Sequence, residues 1–210
     1  MGHYNPRHFA TADEGAIERV LAEYGFATLI TTADDTVTVS HVPVLFERDT
    51  GARGAVIGHV AAANPHAQVM ARGVTFMIFQ GPYGYVSPNW YADPAGSVPT
   101  WNFVAVHVHG SIERIDAMPD KRAIVDALSA RHEAPFARPW TSAKMKPDLL
   151  EKILGAIVGF RMTVEQIDAK FKLSQNRSGA DRAGVIAGLE GRGTPDAEIL
   201  AAWMRDYAGS

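Results

Sequence analysis

Two groups of residues in this sequence are equipped for chemistry. The first is a set of histidines: His41, His59, His66, His107, His109 and His132, with His3 and His8 near the start. His107 and His109 alternate along one run and so share a strand face, a spacing that binds a metal when a third ligand arrives from elsewhere. No HExxH run accompanies them, and a polar strand face or a subunit contact is the simpler account. His59, in GHVAAANPH, lies just ahead of Asn64-Pro65, an N-cap followed by proline at the first helical position. A strand end next to a helix N-terminus favours an anion. His59 and Asn64 are therefore candidate contacts to one, with a satisfied structural histidine as the alternative.

The second group is KFKLSQNRSGADR, residues 170–182, which sets Lys170, Lys172, Arg177 and Arg182 against Asp181 alone. Ser174, Gln175 and Asn176 add hydrogen-bonding groups between the cations. That mixture suits a phosphate or the polar edge of a flavin, and a solvated charged face is the competing reading.

Other chemistries fall away. The chain has no cysteine, which excludes disulfides, thiolate catalysis and Cys-ligated metal or iron–sulfur sites. It has no GxSxG and no carboxylate pair beside a histidine, and His132-Glu133 reads as a helix C-terminus with a cationic side chain on its dipole. GPYGYVSP has neither Walker nor Rossmann spacing. Hydrolase, kinase and nicotinamide-Rossmann readings are set aside, and no catalytic residue is assigned.

The elements that must position these residues can be read from the pattern. A helix is expected behind Thr11 and Glu14, which have capping-box spacing. Residues 27–32 and 36–46 form a hairpin about an Ala-Asp-Asp turn, and 55–60 and 74–80 are further strands. Val104, Val106 and Val108 alternate with Ala105, His107 and His109, a half-buried strand. Helices are expected from Pro119 and over 149–153, a strand over 157–167, and a helical C-terminal extension over 181–210 with a second start at Thr194-Pro195. Strands joined by local hairpins leave no room for crossover helices. The fold class is therefore α+β, an antiparallel barrel with peripheral helices, in a single domain over 1–210.

Between two of these strands, Tyr83 to Phe103 carries six of the nineteen aromatic residues among Gly81, Pro82, Gly84, Pro88, Pro94, Gly96 and Pro99. Such breakers predict irregular backbone rather than a helix or a long regular strand. The rings must pack on the body, on a second subunit or on a flat ligand.

With 47% hydrophobic and 20% charged residues, the 210-residue chain is ordinary globular material. The N-terminal residues lack the apolar core of a signal peptide and no run approaches eighteen apolar residues, so a cytoplasmic, non-membrane protein is expected. A net charge of −3 argues against a broad DNA-binding surface, and the tail from Asp181 sets three arginines against five acids. Direct duplex binding is not expected.

In order along the chain, HYNPRHF, GHVAAANPH, FQGPYGYVSPNWY, VPTWNFVAVHVHG, IVGF and KLSQNR resemble the PaiB-type family of FMN-binding negative transcriptional regulators, from about Tyr4 to about Leu189. The resemblance implies an FMN-binding split β-barrel, similar to pyridoxamine-phosphate-oxidase-like barrels, built as a homodimer with the flavin between subunits. It places phosphate near His59 to Asn64. Ala62 stands where many relatives carry arginine, so Lys172 or Arg177 would have to supply the cation. The candidate cofactor contacts are His41, His59, Asn64, Asn102, Lys172, Ser174, Gln175 and Arg177, and no metal is expected. On this reading Tyr83, Trp90, Tyr91 and Trp101 build the subunit interface, and the polar edge at Asn102 faces the flavin. The implied role is regulatory or flavin-dependent redox. The alternatives are a barrel holding haem or another planar ligand through His107 or His109, and an indirect repressor without catalysis.

Overall fold

Seven antiparallel strands take the order β1-β7-β4-β3-β2-β5-β6, and β6 also pairs with β7, so the sheet closes on itself. The strands are β1 (Ala10–Thr11), β2 (Phe26–Ala33), β3 (Thr36–Glu47), β4 (Ala55–Ala61), β5 (Val74–Val86), β6 (Thr100–Ile115) and β7 (Ile157–Lys172). Six helices accompany them among the described residues: α1 (Glu14–Glu23), α2 (His66–Val69), α3 (Met118–Glu133), α4 (Pro147–Gly155), α5 (Gly179–Glu190) and α6 (Pro195–Asp206). The structure, a computed structural model, describes residues 4–207, and His3 lies outside the described residues. The expected α+β split barrel is the observed fold. Among the described residues no helix is long and apolar enough to cross a membrane.

The chain divides into two compact units, the first ending at Val20 and resuming over Gln80–Val106 and from Asp168 onward, the second comprising Leu21–Phe79 and His107–Ile167. In the second unit, Asp34 and Asp35 both take positive φ, 49° and 57°. That is the geometry of a two-residue hairpin turn matching the twist of its strands, and it sets Ala33 opposite Thr36. The register places Leu29 opposite Ser40 and Met77, and Ile30 opposite Val39 and Phe76. Ala27, Leu29 and Thr31 point inward while Phe26, Ile30 and Thr32 point out, the period-two pattern of a strand with one face in the core. Helix α3 covers another face, setting Ile124 and Leu128 on Ile57 with Leu45 and Ile115 around them.

In the first unit, the residues expected as a C-terminal extension carry a deep apolar cluster. Val185, Leu189, Leu200, Ala201, Trp203 and Met204 are buried, and Phe171 meets Trp203 and Tyr207 edge-on at 5.8 and 5.1 Å. Arg182 ties the end of α6 down by donating to the carbonyls of Met204 and Tyr207.

Two local expectations are corrected. Helix α1 is capped by Asp13, whose Oδ1 accepts from Ala16 N–H at 3.0 Å, while Thr11 Oγ1 accepts from Asp13 N–H. The cap therefore sits two residues later than the Thr11–Glu14 spacing implied. The stretch Gly81-Pro82-Tyr83-Gly84 is strand, not irregular backbone, and β5 runs through it to Val86. Tyr83 and Tyr85 point out and Gly84 and Val86 point in. A Cβ at Gly84 would lie 2.8 Å from Leu200 Cδ2, so this glycine is there for close approach to α6 rather than for a turn. Residues 87–99 join β5 to β6, with a single 3-10 turn at Pro88–Trp90 capped by Ser87.

Candidate functional site

In the first unit, β7 delivers Lys172 to a turn that ends where Ser178 accepts from Asp181 N–H and starts α5. Within that turn Ser174 is buried and holds φ at 63°, a left-handed conformation that costs a non-glycine residue about 1 kcal/mol. Asn102, buried on β6, donates from Nδ2 to Ser174 Oγ at 2.9 Å. The serine oxygen is thereby an acceptor from within the protein, and its own proton can be donated outward.

Lys172, Ser174, Asn176, Arg177, Asn102 and Tyr91 line a small cleft of about 110 Å³ that has no carboxylate in its wall. Lys172 Nζ donates to Trp101 O at 2.6 Å and to Thr100 Oγ1. Burial lowers its pKa, and the nearby positive charges of Lys170 and Arg177 lower it further. The guanidinium of Arg177 lies over Tyr91, 4.3 Å from the ring centre. Asp181, outside the wall, has its carboxyl held below the usual range first by the Ala92 N–H at 2.9 Å, with Ser178 and Arg177 adding to the effect. Gln175 turns away from the cleft. Its Oε1 accepts from Leu173 N–H at 2.7 Å and its Nε2 donates to Phe171 O, so it braces the turn.

The aromatic stretch divides. Trp90 packs on α5, where a Cβ at Gly188 would lie 2.3 Å from the indole Cδ2 and one at Gly184 would lie 2.1 Å from Trp90 O. Tyr91 is 5% exposed. Both rings, expected at a subunit interface, find packing partners in their own chain, and Trp90 stays partly exposed. Tyr83 and Trp101 stay 58% and 53% exposed, with ring centres 6.2 Å apart. With Gln80 and Phe103 they edge an open shelf of about 500 Å³. Lys170 Nζ stands 5.6 Å from the Phe103 ring.

The remaining candidates belong to the second unit. His41 is on the outer face of β3, stacked at 6.4 Å on exposed Phe26. His59 shares the strand face of Ile57, and its buried Nδ1 has no hydrogen-bond partner among the described residues. Burial lowers its pKa. Asn64 uses its side chain at both ends, accepting from His66 N–H at 2.9 Å and donating to Ser40 Oγ at 3.0 Å. The helix it starts has four residues, too few to build a helix dipole.

His66, one of the histidine set but not among the candidate contacts, is fully buried. Its Nδ1 lies 2.8 Å from Ser40 Oγ and its Nε2 lies 3.1 Å from Thr31 Oγ1, which in turn is 2.8 Å from Thr75 Oγ1. Thr75 donates to Met70 O at 3.3 Å. Since Asn64 feeds a proton into Ser40, one direction satisfies every group. Ser40 donates to Nδ1, Nε2–H donates to Thr31, Thr31 to Thr75, and Thr75 to the carbonyl. The ring is neutral with its proton on Nε2. No sequence signal marks this network, because the partners meet only through strand register. His107 and His109 flank Phe76 at 6.5 and 5.4 Å. No group of three potential ligands for a metal exists among the described residues.

The sequence model of a family described as "Putative FMN-binding domain" matches residues 3–166. The chain belongs to the PaiB-type FMN-binding family. It is 33% identical over 207 residues to the protease synthase and sporulation protein PAI 2 of Bacillus subtilis, covering 97% of each chain. It is also 28% identical over 202 residues to an uncharacterised protein of Emericella nidulans, covering 80% of each. Among solved structures it is similar to the FAD and heme binding protein from Mycobacterium smegmatis, with a TM-score of 0.56 and 16% identity over 78% of this chain and 73% of that one. It is similar also to the flavocytochrome Anf3 from Azotobacter vinelandii, with a TM-score of 0.55 and 17% identity over 81% and 70%. At these identities the likeness is one of fold.

Against the family's cofactor, the residues present fit in kind. A phosphate dianion needs donors and positive charge, and the cleft at Lys172 offers two cations, the Ser174 hydroxyl and side-chain amides without a competing carboxylate. A flat ring needs apolar surface with few polar groups, which the Tyr83–Trp101–Phe103 shelf supplies. Residues 172–177 lie C-terminal to the segment matched by the family's sequence model.

Proposed function

We propose that this protein binds FMN through the first unit, with Lys172, Ser174 and Arg177 holding the phosphate and Asn102 orienting the serine. The observation that carries this reading is the convergence of Lys172 and Arg177 on one cleft that has no carboxylate in its wall, where burial first, and then the nearby charges of Lys170 and Arg177, lower the Lys172 pKa. Bound phosphate would relieve the repulsion among these charges. The chain has no arginine at Ala62, and these cations take the role instead. When bound, the flavin supplies hydride and single-electron chemistry. The protein's part is to bind it, orient it and keep one side of its ring against apolar surface.

The proposal extends to a homodimer. The outer face of β2, β3 and β5 presents Phe26, Val37, Val39 and Val74 as exposed apolar side chains, with Ile30, Phe76 and Ile78 among them half buried. A face of that kind is a protein-binding surface in a soluble chain. The role we favour is flavin-dependent redox or flavin-linked regulation in the cytoplasm. The acidic balance of the tail from Asp181 opposes direct contact with duplex phosphate, so any effect on transcription is indirect.

The test is a titration of FMN followed by flavin fluorescence and visible absorbance. The double variant Lys172→Met, Arg177→Met is expected to bind at least about 100-fold more weakly, since each charge-assisted bond contributes roughly 1.5–3 kcal/mol. Wild-type protein that neither quenches the flavin nor gains thermal stability from it would overturn the proposal.

A further inference from the structure

The connector between α3 and α4 lies against α3 and leaves a groove of about 460 Å³ within the second unit. Arg122, Asp126, Ser129 and Ala130 of α3 line one side, and Trp140 and Ser142 of the connector line the other. The connector is held in place. Trp140 N–H donates to Glu133 Oε2 at 2.7 Å, and Lys144 Nζ donates to Pro139 O at 2.7 Å. None of these residues belongs to the flavin site proposed above.

We infer that this groove is a second small-molecule site and that its ligand is a planar aromatic carboxylate. Three independent features converge. Ser142 is 2% exposed and lines the groove. A hydroxyl that lines a groove can donate its proton to a ligand acceptor. Trp140 lines the groove and is partly exposed, so its ring is available to a ligand. Arg122 meets Asp126 through Nε at 3.5 Å, and its side chain is half exposed, so its terminal NH2 groups are within reach of a ligand.

The charge and shape decide the class. One guanidinium beside one carboxylate accommodates a monoanion, whereas a phosphate dianion would be repelled by Asp126. Ala130, Ala134 and Ala143 add small apolar side chains to the lining. The volume is in the range of small-ligand pockets. The ring lies against Trp140, the carboxylate takes the fork of Arg122, and an acceptor on the far ring edge receives the Ser142 proton.

The probe is 4-hydroxybenzoate, titrated by calorimetry into the full chain, with 4-hydroxybenzyl alcohol as the uncharged comparison. Saturable binding with Kd on the order of 0.1 mM is expected for the acid. Arg122→Gln and Trp140→Leu should each weaken it at least about tenfold, and Ser142→Ala should weaken it by about three- to tenfold. Arg122 is half exposed, so its variant folds, and thermal melting checks the other two. Lys172→Met should bind the acid as the unchanged chain does. Absence of binding up to about 10 mM acid overturns the inference. So does an equal affinity for the alcohol, or an affinity unmoved in Arg122→Gln and Trp140→Leu.

Discussion

Asn102 Nδ2 lies 2.9 Å from Ser174 Oγ, joining residues 72 positions apart in the sequence. The bond turns the serine proton toward the cation cleft, and it anchors a residue whose own backbone is strained at φ 63°. Ser174 thus carries two separable properties, a conformation and a hydroxyl.

Those properties separate by mutation. Ser174→Gly and Ser174→Ala both remove the hydroxyl and leave Asn102 Nδ2 without its oxygen acceptor, but only glycine is relaxed at positive φ. Ser174→Gly should be about 1 kcal/mol more stable than Ser174→Ala in urea denaturation. Both should bind FMN more weakly to the same degree. Equal stabilities would show that the turn is unstrained.

A second prediction concerns acid. Burial places the His66 pKa in the folded chain below its ordinary value of 6.5. As pH falls below that value the unfolded chain takes up the proton first, so stability is full above it and declines toward the lower, folded-state pKa. His59 shifts in the same direction through burial and adds to the slope. His66→Gln should lose about 1–3 kcal/mol near neutrality, and the gap from the unchanged chain should narrow as the pH is lowered. A gap that stays constant between mildly alkaline and mildly acidic urea melts would sink the account.

Gly188→Ala places a methyl group on the indole of Trp90, 2.3 Å from Cδ2. Overpacking of this kind costs about 1–3 kcal/mol. Trp90→Leu should recover part of that loss, giving a coupling of at least about 0.5 kcal/mol in a double-mutant cycle. Strict additivity would mean that the loop carrying Trp90 yields to the methyl at no cost.

Val39 sits exposed on the outer face of β3, opposite Ile30 of β2. Val39→Glu is expected to convert a dimer into a monomer in light scattering while leaving the far-ultraviolet circular dichroism unchanged. A dimer that persists at micromolar concentration would direct the search for the interface to another face.

Much of the fold was legible because it is local. The β2–β3 hairpin announced itself through β-branched runs around two aspartates, and the alternation at Val104 to Val108 marked β6. Three things were not legible, for a shared reason. Glycine and proline in β5 read as breakers, because a sequence does not reveal that Leu200 will approach Gly84. The contacts of Trp90 and Tyr91 with Gly184, Gly188 and Arg177 were hidden, because those residues lie some ninety positions downstream. Lys172, Ser174 and Arg177 were visible as a basic segment, yet Asn102, which aims the serine, joins them only through tertiary packing. Gln175 has the composition of a ligand contact, and its geometry makes it a brace.

The chain of donors from Asn64 through Ser40, His66, Thr31 and Thr75 to the Met70 carbonyl runs in one sense only. Its central imidazole proton has no solvent contact, since His66 is fully buried. That proton can exchange with deuterium only when the strands around it part, so its lifetime in heavy water clocks the opening of the second unit. A single nitrogen-bound hydrogen, visible by magnetic resonance, would serve as the protein's own breathing gauge.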